Sequence, residues 1–283
     1  LSTNKQQKFI VSVIQLSRPV NVFIVVLTIF LAAVISDPHN YWVMSVFWAS
    51  LVGAFIMAGA NTINDYFDVD IDRINKPDRP IPAGNISRQT ALNVAGVEFL
   101  IGLALNIFLP VEMFVVAVIT TLFLILYSAR LKRMALWGNF VVSLITILAF
   151  IFGGMAVGRP EEAILPGVFS FFFHFGREII KDIQDAEGDS LHNALTFPVK
   201  YGNRAAIRLI HFLFILLILV TYLPYRIQWY SSLYFAIVLV GVYPVIFYVL
   251  WRLRKNPTPA QLGFLSNLLK ADMLIGLLAV YFR

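Results

Sequence analysis

The residues of this 283-residue chain that could do chemistry fall into two quartets of oxygen-bearing side chains. Asn61, Asp65, Asp68 and Asp72 follow a 4, 3, 4 spacing, and Glu178, Asp182, Asp185 and Asp189 repeat it. A helix turns by about 100° per residue, so each quartet stays within about 60° of arc and forms one stripe if its helix runs that far. Like charges on one helix face repel each other, so something of opposite charge is expected to compensate. Carboxylate and amide oxygens are hard ligands that suit magnesium, calcium or manganese. Magnesium keeps several waters and commonly joins a few carboxylates to phosphate oxygens, which makes it the best match to a partly open site. Asn64 and Lys181 occupy equivalent flanking positions. Asp70 lies on the opposite side of the first stripe and is not expected to be a ligand. A solvated surface accounts for any single aspartate, but not for the same spacing twice.

The elements that carry these stripes follow from composition. Hydrophobic residues make up 59% of the chain and charged residues 13%, with a mean hydropathy of +0.78. Soluble domains carry about 25% charged residues, and runs of about 20 apolar residues are the length of a bilayer-crossing helix. The expected fold is all-α: one polytopic membrane domain over residues 1–283, with nine transmembrane helices around a central cavity and cap loops on one side. The helices are expected near 20–36, 42–63, 89–109, 111–129, 136–157, 164–181, 205–223, 231–251 and 262–282. Ser87 is placed to cap the third of them. The loops 64–88 and 182–204 are long and charged, and long loops in compact folds are commonly functional. No cysteine is present, which excludes disulfides, thiolate-held zinc and iron–sulfur clusters. The first apolar run follows a polar, basic start and is not expected to be a signal peptide.

Charge orients the helices. With nine spans, the N-terminus and every second loop share a side, and 18 of the 22 Lys and Arg fall on it. They include Lys5, Lys8 and Arg18 before the first span, and Arg73, Lys76, Arg79 and Arg88 in the first long loop. Arg159, Arg226 and Arg283 fall on the other side, and Lys270 within the last helix. Cytoplasmic loops are enriched in Lys and Arg. The N-terminus and both acid-rich loops are therefore expected in the cytoplasm and the C-terminus outside.

The bases also have a use in the chemistry. Arg18, Lys76, Arg79, Arg130, Lys132 and Lys181 lie on the acid-rich side, where they could contact diphosphate oxygens that a metal leaves free. Arg208, Arg252, Arg254 and Lys255 are expected only to anchor the protein at the interface. His174, Glu98 and Asp272 lie inside expected helices, where interior hydrogen bonding accounts for them as well as catalysis does.

At these residues the sequence resembles the UbiA superfamily of intramembrane prenyltransferases. Asn64-Asp65-Tyr66-Phe67-Asp68-Val69-Asp70-Ile71-Asp72 matches its first signature, NDxxDxxxD, and Asp185 to Asp189, preceded by Asp182, matches its second, DxxxD. Arg18-Pro19 and the nine-helix layout also fit, so the resemblance covers essentially the whole chain. The family's Tyr-x-x-x-Lys motif is one residue longer here, Tyr127 to Lys132, which leaves both Arg130 and Lys132 as candidates for the diphosphate. The run Arg177 to Asp185 is most similar to the archaeal ether-lipid branch. The resemblance implies Mg2+ held by Asn64, Asp68, Asp72, Asp182, Asp185 and Asp189. It implies a geranylgeranyl diphosphate donor and a phosphate-bearing prenyl acceptor, geranylgeranylglyceryl phosphate, drawn from among the membrane lipids; no nucleic acid is expected. Tyr127 would stabilise the allylic cation or position the diphosphate, and Asp65 or Asp72 would take the acceptor proton. Two other functions are compatible with parts of the pattern: transfer to an aromatic quinone precursor, and cation-coupled transport. A transporter's acids should lie near mid-membrane on interrupted helices, whereas these are expected at one interface.

Overall fold

The computed structural model describes the backbone of residues 2–191 and 194–283, and the side chains of 7–74, 76–190 and 194–283. Lys5 and residues 192 and 193 of the second acid-rich loop lie outside the described side chains. Among the described residues, nine helices are long and apolar enough to cross a membrane, and no strand longer than an isolated bridge occurs. Contacts group the chain into two compact units: residues 1–130 with 148–163, and residues 131–147 with 164–283.

The first unit is organised by one long helix. Helix α1 (Ser2–Ser17) leads into α2 (Pro19–Ser36), and α3 (Met44–Asn75) is followed by α4 (Arg88–Ala104) and α5 (Val111–Ala129). All four of the others pack on α3. Its approach to α4 is close because two glycines permit it. A Cβ at Gly59 would lie 2.8 Å from the Phe99 ring, and one at Gly102 3.0 Å from the Ile56 side chain. Small residues at helix crossings bring backbones together where lipid supplies no hydrophobic drive. Ser87 caps α4, accepting from the Thr90 N–H at 3.0 Å, as expected from the sequence.

The structure departs from the expected boundaries where α3 was expected to end. The helix continues through the whole first stripe to Asn75, so the loop expected at 64–88 shrinks to residues 76–87. That loop is not loose. Pro77 and Pro80 restrict its backbone, Gly84 takes φ 71°, and Asn85 N–H bonds back to Pro80 O at 2.9 Å. Ile81 and Ile86 then pack with Leu16, Val69 and Ala91 in a small buried cluster that fastens the turn to α1, α3 and α4.

The second unit contains most of α7 (Glu161–Leu191), the short α8 (Phe197–Tyr201), α9 (Asn203–Arg226), α10 (Ser232–Ile237), α11 (Tyr243–Leu253) and α12 (Pro259–Tyr281). Helix α6 (Trp137–Ala156) starts in this unit and ends in the first. Helix α7 also outruns its expected end, from 181 to 191, and carries the second stripe. Helices α10 and α11 form one span joined by a π turn, Val238–Val242. Pro244 follows at once, with no N–H and with a ring that crowds the carbonyl four residues earlier. The wider turn relieves that conflict. Helix α12 opens with a capping box, Thr258 and Gln261 bonding each other's backbone.

Candidate active site

Both quartets lie on continuous helix, as their spacing requires. In the first unit the carboxylates differ in environment. Asp65 and Asp72 are each 4% exposed, while Asn64 and Asp68 are half-buried. Asn64 Nδ2 donates to Asp68 Oδ2 at 2.9 Å, which links the flanking amide to the half-buried carboxylate of the quartet one turn on. Asp65 accepts from Arg18 and, at 3.0 Å, from Arg79; Arg79 also donates to Asp72 Oδ2 at 2.5 Å. One guanidinium therefore bridges the two buried acids, and the 76–87 turn brings it there. Charge-assisted bonds of this kind are stronger than neutral ones, and they answer the repulsion expected along the stripe. Asp70 is exposed and meets Arg73 at 3.3 Å, away from the stripe.

Arg18 reaches Asp65 from the corner between α1 and α2. Its backbone is left-handed (φ 49°, ψ 76°), with Pro19 following. A non-glycine residue holds that conformation only when its surroundings impose it. Here Asn61 Nδ2 donates to Ser17 O at 2.9 Å, and Asn21 donates to Asn61 Oδ1 at 3.2 Å. Asn61, the first member of the quartet, thus braces the corner. Glu98 on α4 accepts from Ser17 Oγ at 2.7 Å and from Thr62 Oγ1 at 2.8 Å.

In the second unit, Glu178 is 9% exposed and takes Arg177 at 2.9 Å and Lys181 at 3.0 Å. Arg177 Nε also donates to Ser266 O at 3.1 Å, tying α7 to α12. Asp182 accepts from Asn139 Nδ2 on α6 at 2.8 Å, and Asp189 from Thr196 Oγ1 at 3.1 Å. Thr196 is brought in by a short pairing in which Leu195 N–H donates to Arg133 O at 2.9 Å. Asp185 is exposed.

The remaining candidates are distributed as follows. Lys76 is exposed at the end of α3 and Arg130 at the end of α5. Tyr127 is half-buried on the last turn of α5, and Lys132 half-buried in the 3-10 turn Leu131–Arg133. Five polar supports had no assigned role from sequence: Ser17, Asn21, Thr62, Asn139 and Thr196. Asn21 and Asn139 gave a signal, each an amide near the start of a helix without charged residues.

Among the described residues no three His, Cys, Asp or Glu side chains form a ready cage for a metal. The donor set is nevertheless all oxygen, carboxylate and amide, as a hard divalent ion requires. Each stripe repeats at helical spacing, so adjacent members lie one turn apart. A magnesium ion held by two or three of them would complete its shell with water and phosphate oxygens.

Residues 25–268 match the UbiA prenyltransferase family. A digeranylgeranylglyceryl phosphate synthase of Methanosphaera stadtmanae is 34% identical over 93% of this chain and 95% of its own length. One of Saccharolobus solfataricus is 35% identical over 87% of each. A solved structure concerned with digeranylgeranylglyceryl phosphate synthase in membranes superposes with a TM-score of 0.82 at 30% identity, covering 97% of this chain and 98% of its own. A UbiA homologue from Archaeoglobus fulgidus, bound to GPP and Mg2+, shares the fold with a TM-score of 0.68 at 18% identity, over 94% of this chain and 99% of its own. This multi-pass membrane protein belongs to the UbiA prenyltransferase family.

Proposed function

We propose that this protein is a magnesium-dependent prenyltransferase of ether-lipid synthesis. It transfers a geranylgeranyl group from its diphosphate to the free glyceryl hydroxyl of geranylgeranylglyceryl phosphate. The observation that carries the reading is the pair of matched oxygen stripes on continuous helices, in a chain alike over its length to proteins named for that product. The solved Archaeoglobus homologue with GPP and Mg2+ supports the donor class and the metal.

In this reading Asn64, Asp68 and Asp72 on α3 would hold magnesium, as would Asp182, Asp185 and Asp189 on α7. The bound metal would supply electrostatic stabilisation of the departing diphosphate. Arg18, Lys76, Arg79, Arg130, Lys132 and Lys181 neutralise the diphosphate oxygens that remain. Arg18 and Arg79, already fixed on Asp65 and Asp72, offer guanidinium N–H groups at set positions and cost little reordering. Asn139 and Thr196 orient Asp182 and Asp189 in the same way. Cleavage of the C1–O bond leaves an allylic cation, which Tyr127 stabilises. The glyceryl oxygen then forms the ether bond to C1, and its proton passes to the Asp65–Asp72 pair. The bias of Lys and Arg supports a cytoplasmic N-terminus and diphosphate entry from the cytoplasm.

The test is transfer of labelled geranylgeranyl diphosphate to geranylgeranylglyceryl phosphate by purified protein, with magnesium, with EDTA, and with Asp68→Ala and Asp185→Ala. Magnesium-dependent ether product, lost in both variants, is expected. Diphosphate release without ether would reject the acceptor and bring aromatic acceptors forward. A folded protein that neither binds nor cleaves the donor would reject the enzyme.

A further inference from the structure

Glu98 is an acid inside a membrane span, 9% exposed, and no step above uses it. Such residues are costly there and are retained for a reason. Both of its oxygens accept hydroxyl bonds, and the two donors lead to different places. Thr62, fully buried on α3, lies one turn before the Asp65–Asp72 face. Ser17 is the last residue of α1 and immediately precedes Arg18. Ser17 Oγ lies 2.7 Å from Glu98 Oε1 and 2.9 Å from Val13 O, so its one proton has two acceptors; the bond to Glu98 is the shorter one. The Ser17 carbonyl is held as well, by Asn61. Ser17 is thus held at both its hydroxyl and its carbonyl, and the chain leaves α1 through a left-handed Arg18. That turn aims the guanidinium at Asp65.

We propose that Glu98 is a positioning residue for Arg18: by anchoring Ser17 to α3 and α4 it fixes the corner from which Arg18 reaches Asp65 and the donor diphosphate. The inference rests on the reading of Arg18 as a diphosphate ligand. It assigns Glu98 no contact with substrate.

A double-mutant cycle tests it, read as the dissociation constant of a geranylgeranyl thiolodiphosphate in the presence of magnesium and as KM and kcat for the donor. Arg18→Ala is expected to weaken analogue binding by about 30-fold and Glu98→Ala by about tenfold. Glu98→Ala should raise KM in proportion and leave kcat within about twofold. Glu98→Gln, which keeps a carbonyl acceptor for Ser17, should restore binding to within about twofold of wild type. In the Arg18→Ala background, Glu98→Ala should add less than about twofold, because the residue it positions is gone. Additive losses, or a Gln variant as weak as the Ala variant, would overturn the assignment. Should Glu98→Ala fail to fold, Ser17→Ala reads the same link: about threefold weaker binding is expected, and unchanged binding overturns the proposal. Unchanged binding in Arg18→Ala rejects the role given to Arg18 itself, whereas a loss there with none in Glu98→Ala or Ser17→Ala rejects this inference alone.

Discussion

The two stripes share a spacing and differ in what holds them. On α3, Asp65 and Asp72 are buried against guanidinium groups, with Arg79 spanning both. On α7, Asp182 accepts from the Asn139 amide, Asp189 counts the Thr196 hydroxyl among its partners, and Glu178 is paired with Arg177 and Lys181. Positions have been matched; partners have not. A carboxylate facing arginine is already compensated, so an arriving cation must share it. A carboxylate that accepts from a neutral amide, as Asp182 does, has more to gain from a divalent ion. In the proposed function Asp65 and Asp72 therefore serve as a scaffold as much as a binding surface, and Asp182 depends more on what binds to it.

The most demanding test removes one accessible carboxylate from each stripe. Asp68→Ala and Asp185→Ala should each lower kcat/KM by about 10³-fold, the scale of losing a preorganised electrostatic contact; a variant retaining a tenth of wild-type transfer would disqualify its stripe. Arg79→Ala comes next. It leaves two buried acids without their shared partner and should cost about 3 kcal/mol of stability, read from denaturation in detergent. If Asn139→Ala costs as much, the two stripes are supported alike after all. Ligand-induced stabilisation is a third measure. Magnesium with a prenyl thiolodiphosphate at about 100 times its dissociation constant should add about 2.7 kcal/mol, and Asp185→Ala should lose more of that gain than Asp72→Ala. Thr196→Val is the smallest change, removing one neutral hydroxyl from Asp189 for about 1 kcal/mol, seen as a shift in melting midpoint without loss of magnesium dependence.

Much of this was legible because the signals were local. Nine apolar runs match nine helices long and apolar enough to cross a membrane among the described residues, and the 4, 3, 4 spacing requires helices extending past those runs, as α3 and α7 do. The same reasoning put Asp70 off the stripe and Ser87 at a helix cap. The supports were not legible. Nothing in the sequence ties Ser17 to Glu98, 81 positions away, or Asn139 to Asp182, 43 away. Such pairings exist only once helices pack. Helix α1 also escaped the reading, since it is a polar, basic start and its hydropathy is far from that of a span. Pro244 was visible, but whether a proline bends, breaks or widens a helix depends on its neighbours in space.

The turn that returns Arg79 to α3 has a consequence for how the protein is made. Arg79 lies 7 residues from Asp72 and 14 from Asp65, whereas Arg18 reaches Asp65 across 47. Short loops close quickly and at small entropic cost. As the chain emerges from the ribosome, the acid-rich end of α3 can acquire its counter-charge as soon as the next dozen residues follow, before any later span exists. An arginine supplied from a later helix would leave those acids exposed at the bilayer surface until that helix was made.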